Sequence, residues 1–434
     1  MAPTLAHTRP WAPHPAAGPI TEREGDALCT AANGTRTLSG GWQLEYDGVE
    51  PGAHYRLSTE VEYRDLTTWR DALQCKVLWY AIEPEEKDTR GPWDYLSPEP
   101  VAAGRLRFAQ TLQAPQDASA MVIRCTMRWT PEGQARWQLP LIEEVAAADA
   151  LDSVAISVVT GHAHARRDIR KTIAGNSQFY GALCEKACAT SPDLIVLPEI
   201  ALQWQMPGSA LDLAVTAPGP ETAAFSAIAR KHHTRILLGL YERDGDAVHN
   251  TAALIAPDGT IEGRYHKVHL AVGGESESGI LPGREFPVFD TDIGRIGCNI
   301  CMDSSAAESA RMIGLNGADF LLLPIMGDHR ADRWSRGAPV FNESRWQAIM
   351  RTRAIDNQFT LVVARNTVQG SCIVDRKGEF LAYNDGTRDL VEARVPLVDG
   401  YRTWNGACFR EINWLQRRPH LYGAYVEAGN KGSL

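Results

Sequence analysis

Three short segments of the sequence end in side chains that could carry out acid–base and nucleophilic chemistry. In the first, the apolar run Leu194–Leu197 leads directly into Pro198 and Glu199. Proline ends a strand because it cannot donate to the ladder, so Glu199 is expected at the rim of a dry core. Burial there raises the proton affinity of a carboxylate, which suits a general base near neutral pH. Taken alone, this segment is more typical of a solvated loop.

The second segment is the basic stretch GRYHKVHL, residues 263–270. It closes the second strand of a predicted hairpin whose turn is Pro257–Gly259. A lysine at such a strand end, here Lys267, is usually an ordinary surface residue. It can also be a fixed ammonium group that balances the charge of a thiolate or an oxyanion.

The third segment is GRIGCNICMD, residues 294–303, in which a predicted strand ends at Cys301. A helix is predicted just beyond it, because residues 305–308 fit the S-x-x-E capping box. The dipole of a helix N-terminus stabilises a thiolate, and unpaired N–H groups there, such as that of Met302, can bind an oxyanion. A cysteine is by default a small core residue, and Cys298, inside the strand, fits that description better.

The elements that must position these side chains alternate between strand and helix after residue 150. Strands are predicted at 153–159, 193–197, 235–241, 250–255, 260–265, 295–300, 319–324 and 359–364, and helices at 174–189, 221–232, 305–316 and 343–357. Such alternation predicts a layered α/β domain with its helices outside. Functional groups in these folds collect at the carboxyl ends of the strands, which is where all three segments lie.

The chain has a different character before residue 150. Period-two alternation at 55–63, 75–82 and 121–129 predicts an antiparallel β-sandwich. We therefore divide the chain into a disordered leader at 1–20, a β-sandwich of unknown role at 21–150, and an α/β domain at 151–434. The tryptophans of the sandwich are interpreted as core residues, with a substrate- or carbohydrate-binding surface as the alternative. They are Trp42, Trp69, Trp79, Trp93 and Trp129.

Composition excludes several classes of protein. A net charge of −9 argues against nucleic-acid binding, and no run of about 18 apolar residues predicts a membrane span. Nine scattered cysteines without a signal peptide predict free thiols and a cytoplasmic location. The C-x-x-C of Cys298 and Cys301 lacks a second pair, so zinc is disfavoured. His232, His233 and His329 beside Asp328 are interpreted as surface residues rather than metal ligands.

Together and in this order, the three segments resemble the nitrilase superfamily of carbon–nitrogen hydrolases. The matching motifs are LPE at 197–199, YHKVHL at 265–270 and GCNICMD at 297–303. The intervals between them fit those of the family. The likeness extends over about residues 152–425 and leaves the first 150 residues outside. It includes the hairpin at 249–259, the Pro-Gly turn at 281–283, the stretch at 316–324, the helix at 351–357 and the closing hairpin at 370–379.

This resemblance implies a four-layer αββα sandwich, usually assembled into a homo-oligomer of two or more copies. It also implies a catalytic triad of Glu199, Lys267 and Cys301, without a metal or organic cofactor. A second active-site glutamate is expected between the lysine and the cysteine. Glu277 is preferred for its distance from the Pro-Gly turn, and Glu275 is the alternative.

The substrate-binding positions depart from the family pattern. Met302 replaces an aromatic residue, and Met302, Asp303 and Glu275 are the predicted substrate-binding residues. Cys-Met-Asp is more similar to the amide- and carbamoyl-hydrolysing branches than to the Cys-Trp-Glu of nitrilases. The resemblance therefore implies hydrolysis of a small amide or carbamoyl compound through a thioester, with release of ammonia or an amine. The alternatives are a nitrilase, an acyltransferase, and a binding or sensor protein with a stalled acyl-enzyme.

Overall fold

A computed structural model describes residues 2–80, 92–146, 151–160, 172–272, 274–326, 341–366, 369–397 and 414–423. The described residues fall into two units. The first contains residues 2–146 together with 414–423, and the second contains residues 151–397. None of the helices in these ranges combines the length and the apolar character that a membrane span needs.

The first unit is an antiparallel β-sandwich, as predicted. Its strands are β1 Thr4–Trp11, β2 Ile20–Glu24, β3 Ala27–Ala31, β4 Ser39–Asp47, β5 His54–Arg64, β6 Leu73–Tyr80, β7 Trp93–Tyr95, β8 Ser97–Ala102, β9 Arg105–Gln113, β10 Ala120–Arg128, β11 Gln134–Trp137 and β12 Leu141–Val145. The one-turn helix α1 spans Trp69–Ala72. One sheet has the order β1-β4-β10-β6-β7, and the other has the order β2-β3-β11-β5-β9-β8 with β12 also paired to β5.

Alternate residues of these strands form the core between the two sheets, which is why the sequence shows a period of two. The interpretation of the tryptophans as core residues applies to Trp42 and Trp79, which are buried in this core. It does not apply to Trp129, which is 48% exposed. Trp129 has a φ of 59° immediately after β10 ends, and its ring lies under the guanidinium groups of Arg128 and Arg418.

Two predicted domain boundaries are corrected. Residues 4–11 of the supposed leader form an edge strand, paired antiparallel with β4 from Thr4–Asp47 to Trp11–Gly41 with a register shift between Leu5 and His7. Its residues are mostly exposed, so its order comes from the hydrogen-bonded ladder and not from a hydrophobic pattern visible in the sequence. At the other end, the described residues 414–423 belong to the first unit. In that segment, Nη1 of Arg418 lies 3.4 Å from Oδ1 of Asp71.

The second unit has twelve strands among its described residues. They are β13 Ser153–Val159, β14 Leu194–Val196, β15 Arg235–Asp244, β16 Ala247–Ile255, β17 Ile261–His266, β18 Val288–Thr291, β19 Gly294–Cys298, β20 Phe320–Ile325, β21 Thr360–Arg365, β22 Cys372–Val374, β23 Phe380–Tyr383 and β24 Leu390–Pro396. Its helices are α2 Ile173–Ala187, α3 Ala210–Leu213, α4 Pro220–His232, α5 Ala307–Leu315 and α6 Glu343–Asn357.

These elements form four layers, which confirms the predicted αββα sandwich. One sheet has the order β17-β16-β15-β14-β13-β24 and the other β18-β19-β20-β21-β22-β23. Each contains three adjacent parallel strands, β13 to β15 in the first and β19 to β21 in the second. One apolar core lies between the sheets. Helices α2 and α4 pack against the first sheet through a second apolar core, and α5 and α6 pack against the second sheet through a third.

The predicted start of the helix after Cys301 is wrong. Residues Cys301–Ser305 form a 3-10 turn, and α5 follows with Ala306 as its extended N-cap residue. Ser305 therefore lies inside the turn, where its hydroxyl is 3.4 Å from the sulfur of Met302, and it does not cap the helix. Residues 305–308 therefore match the S-x-x-E pattern, but Ser305 makes no capping hydrogen bond to α5.

Candidate active site

Glu199 follows β14 at the carboxyl end of a parallel strand and is only 3% exposed. Three donors hold its carboxylate. The Asn250 side-chain amide and the Lys267 ammonium each donate to Oε1 at 2.8 Å, and the backbone N–H of Met326 donates to Oε2 at 2.6 Å. Because Met326 follows β20 of the other sheet, the two sheets meet at this carboxylate.

Close backbone packing fixes the position of Glu199. A Cβ atom added to Gly239 of β15 would lie 2.4 Å from the carbonyl oxygen of Pro198 and 2.9 Å from Cα of Glu199. Only glycine allows the chain that carries the glutamate to pass this close to the strand. The next residue, Ile200, has a φ of 42°, which turns the chain sharply after the carboxylate.

Lys267 lies directly after β17 and is 1% exposed. Its ammonium group donates to Oε1 of Glu199 at 2.8 Å and to Oε2 of Glu275 at 2.6 Å. Burial alone would lower the pKa of Lys267, but Glu199, Cys301 and Glu275 raise it above the ordinary value. The lysine is therefore a permanent positive charge in the site.

The structure corrects the preference for Glu277 as the second glutamate. Glu275 is the residue that contacts Lys267, and its carboxylate also accepts from Asn250 at 2.5 Å and from the Ala271 N–H at 2.9 Å. The Glu277 side chain is exposed, and it makes no hydrogen bond within the described ranges. Sequence distance could not separate the two, because they lie on the same short 3-10 helix, Glu275–Glu277.

Cys301 lies just beyond β19 and has a φ of 43°, in the left-handed region that side chains rarely adopt. This strained backbone is a feature that clusters at functional sites. Burial, followed by the negative charge of Glu199 and a hydrogen bond to it, raises the pKa of the Cys301 thiol, whereas Lys267 lowers it. The resting group is therefore a thiol, and the carboxylate of Glu199 is its neighbour.

Asp303, predicted to bind substrate, is instead completely buried within the 3-10 turn Cys301–Ser305. Its carboxylate accepts from the Tyr265 hydroxyl at 2.8 Å, the Ile300 N–H at 2.9 Å, and both the N–H and the Nδ1 of His269 at 2.8 Å. It ties the strand end that carries Lys267 to the turn that carries Cys301. Met302 is half-buried beside Cys301, and its part in substrate binding stays a prediction.

Two contributors to the site were missed by the sequence analysis. The sequence HNTA that contains Asn250 was assigned only to a hairpin, although a polar side chain that is 1% exposed needs a partner. The N–H of Met326 could not have been found from the sequence, because residue type does not indicate which backbone N–H donates to the site. Among the histidines interpreted as surface residues, His232 binds Glu185 at 2.8 Å, and His329 lies outside the described residues.

The comparisons with known proteins identify the family. A family model described as carbon-nitrogen hydrolase matches residues 153–403, more than half of the chain. The chain belongs to the carbon-nitrogen hydrolase family. It is therefore an enzyme of that family, and the resemblance to the nitrilase superfamily is confirmed.

Relatives of this carbon-nitrogen hydrolase carry several names. It is 30% identical to a citrullinase of Francisella tularensis in an alignment 239 residues long that covers 50% of this chain and 78% of the relative. It is 28% identical to a probable nitrilase of Schizosaccharomyces pombe over 202 residues, which are 45% and 69% of the two chains. A crystal structure of an amidase from Nesterenkonia sp. superposes with a TM-score of 0.51 at 19% identity, covering 65% of this chain and all of that one. This last similarity supports the fold.

Proposed function

We propose that this protein hydrolyses the carbon–nitrogen bond of a small amide or carbamoyl compound through a thioester on Cys301. One observation carries the proposal. A buried carboxylate, that of Glu199, contacts both the Cys301 thiol and the Lys267 ammonium at the meeting point of the two sheets. This is the combination of nucleophile, base and fixed positive charge that acyl transfer to sulfur needs.

The first half of the reaction forms the acyl-enzyme. Glu199 takes the thiol proton while the sulfur of Cys301 attacks the carbonyl carbon, and the carbonyl electrons move to oxygen. The Lys267 ammonium and the N–H of Met302 stabilise this oxyanion. When the carbonyl re-forms, the carbon–nitrogen bond breaks, and Glu199 donates its proton to the departing nitrogen. Ammonia or an amine leaves, and the acyl group remains on sulfur as a thioester.

The second half clears the thioester. Water loses a proton to Glu199 and attacks the same carbon, with the same groups stabilising the oxyanion. The carbon–sulfur bond then breaks, and the proton returns to Cys301. Asn250 donates to Glu199, Glu275 accepts from Lys267, and Asn250 also donates to Glu275. These contacts hold the Glu199 carboxylate and the Lys267 ammonium in place through both halves of the reaction.

Residues next to Cys301 and one relative support the proposed substrate class. Met302 and Asp303 match the amide and carbamoyl branches, and citrulline, in the name of the Francisella relative, carries a carbamoyl group. A nitrile substrate is the second candidate, supported by the relative named as a probable nitrilase. In that case nitrogen would depart only after water had added to the thioimidate.

The proposal is tested by ammonia release from a panel of amides, N-carbamoyl amino acids, ureides and nitriles, with intact-mass spectrometry on the same samples. Cys301→Ala is expected to reduce release to the level of buffer, because no other group forms the thioester. The matched control is Cys298→Ala, which removes a buried thiol three residues earlier in β19.

Retained turnover in Cys301→Ala, or its loss in Cys298→Ala with the fold intact, would contradict the assignment. A stable mass adduct on Cys301 without ammonia release would indicate a transferase or a stalled sensor instead of a hydrolase.

A further inference from the structure

Tyr241 faces the space between the two sheets, on the same side as the catalytic groups. Residues 236, 238 and 240 of β15 pack toward the helices, while Leu237 packs into the core between the sheets. Strand alternation therefore directs Leu237, Gly239 and Tyr241 to the same face. Gly239 is the residue over which the Glu199 backbone passes, so Tyr241 lies one step further along that face.

Tyr241 is also paired directly with a residue of the site. In the antiparallel ladder of β15 and β16 it lies opposite Asn250, and directly opposed residues share a face with their Cβ atoms about 5 Å apart. Asn250 donates to both Glu199 and Glu275. The hydroxyl of Tyr241 interacts electrostatically with Glu275, Glu199, Lys267 and Cys301.

The ring of Tyr241 packs where both ends of the Glu275 loop are anchored. A small apolar cluster contains Ala210, Val248 and Ile280, with Tyr241 and Leu270 packed against it. Leu270 and Ile280 lie immediately before and after the loop that carries Glu275. The backbone of Tyr241 is held as well, because its N–H donates to the buried side chain of Gln203 at 3.0 Å.

The hydroxyl of Tyr241 is a neutral donor. Burial, followed by Glu275 and Glu199, raises the pKa of Tyr241 above its ordinary value, so the phenol stays protonated throughout the neutral range. Within the part of the chain that the structure describes, no group forms a hydrogen bond with this hydroxyl. A protonated donor beside the reacting groups is free to bind an acceptor on the substrate.

We propose that Tyr241 is a substrate-specificity residue, whose hydroxyl donates to an acceptor oxygen on the substrate and whose ring positions the loop that carries Glu275. The inference rests on the proposed function, because it assumes that substrate reacts at Cys301. It identifies the preferred substrate as an amide or carbamoyl compound with a second oxygen acceptor beyond the scissile bond. A site built around such a hydrogen bond discriminates against analogues that lack the acceptor.

The test compares Tyr241→Phe with Tyr241→Leu on matched substrates. For an amidase the pair is succinamate and butyramide, and for a carbamoyl hydrolase it is N-carbamoyl-β-alanine and propylurea. In Tyr241→Phe the KM for the acceptor-bearing substrate is expected to rise about 2- to 10-fold, the range of one hydrogen bond, with kcat and the apolar analogue unaffected. In Tyr241→Leu kcat is expected to fall for both substrates, because the ring that packs at both ends of the Glu275 loop is lost.

Tyr63→Phe, a half-buried tyrosine of the first unit, is the matched control for loss of a phenol oxygen. Equal kinetics of Tyr241→Phe and the unmodified protein on both substrates would overturn the role of the hydroxyl. Equal behaviour of the Phe and Leu variants would overturn the role of the ring. Turnover by Cys301→Ala would overturn the proposed function itself, a result that the Tyr241 variants cannot produce.

Discussion

The sequence predicted which reactive and charged residues form the site, but not the hydrogen bonds that connect them. Glu199, Lys267 and Cys301 each end a predicted strand, and parallel strand ends converge, so the sequence brings them together. Glu275 was open to confusion with Glu277, because a two-residue shift within a loop changes which side chain points inward. Asp303 was misassigned for a similar reason. Its type suggested a substrate contact, whereas its burial makes it a link between two strand ends.

The Asp303–His269 contact makes stability depend on pH. The hydrogen bond from His269 to Asp303 raises the pKa of His269 above its ordinary value, although partial burial opposes this. A group with a raised pKa in the folded state contributes stability that is fully present below its unfolded pKa, about 6.5. That contribution is lost as pH rises through the folded value. The free energy of unfolding, measured with urea, is therefore expected to fall as the pH rises from 5.5 to 9.

His269→Gln keeps a polar side chain without a titrating group, so its unfolding curve should lose this slope. Because the His269 side chain is 40% exposed, solvent screens the ion pair and the effect is small. An identical pH slope in the variant would show that another group is responsible.

At the scale of elements, the sequence predicted the type of strand or helix better than its boundaries and neighbours. Helix α6 and strand β13 match their predicted ranges in full: a side-chain cap at Asn342 marks the start of α6, and β13 is a short, nearly continuous apolar run. Strand β1 was missed because its partner β4 supplies the order. The two sheets also repeat one arrangement, three parallel strands followed by an antiparallel pair, in β13–β17 and again in β19–β23. No sequence repeat marks it, since topology constrains only which positions are apolar.

The close approach of β15 to the Glu199 segment gives a prediction at this scale. Gly239→Ala would place a methyl group 2.4 Å from the Pro198 carbonyl oxygen, so the backbone carrying Glu199 must move. We expect kcat to fall at least about 10²-fold, since displacement of a catalytic group by about 1 Å has effects of that size. Steady-state kinetics and thermal unfolding on the same sample would measure it.

The matched control is Gly181→Ala in α2, where an added Cβ meets Ile228 at an ordinary 3.8 Å. Alanine also favours the helix by up to about 1 kcal/mol, so this variant should keep both activity and stability. Unaltered kinetics in Gly239→Ala would mean that the strand and the glutamate are not coupled as described.

At the scale of the whole molecule, each unit has a hydrophobic core of its own. Among the described residues, the core of the first unit is formed by its β-sandwich, and the cores of the second unit are formed by its four layers. Trp137 is completely buried in the first of these cores, 5.3 Å from Phe108 between ring centroids. Trp137→Ala is expected to destabilise that unit by about 3–5 kcal/mol.

Differential scanning calorimetry with a parallel ammonia-release assay would measure both consequences. Below the lowered transition, turnover should persist, since no proposed catalytic group lies in the first unit. Loss of turnover before any loss of the sandwich fold would assign this unit a direct part in the reaction.

The pairing of β13 with β24 has a consequence for how this gene product is built. The first and last strands of the second unit run side by side from Ser153–Pro396 to Val159–Leu390, and the N–H of Leu397 donates to the Asp152 carbonyl at 3.0 Å. Because residues 414–423 return to the first unit, the hydrolase is an insertion within a host β-sandwich. Its entry and exit points are a hydrogen bond apart, the geometry that domain transplantation and circular permutation require.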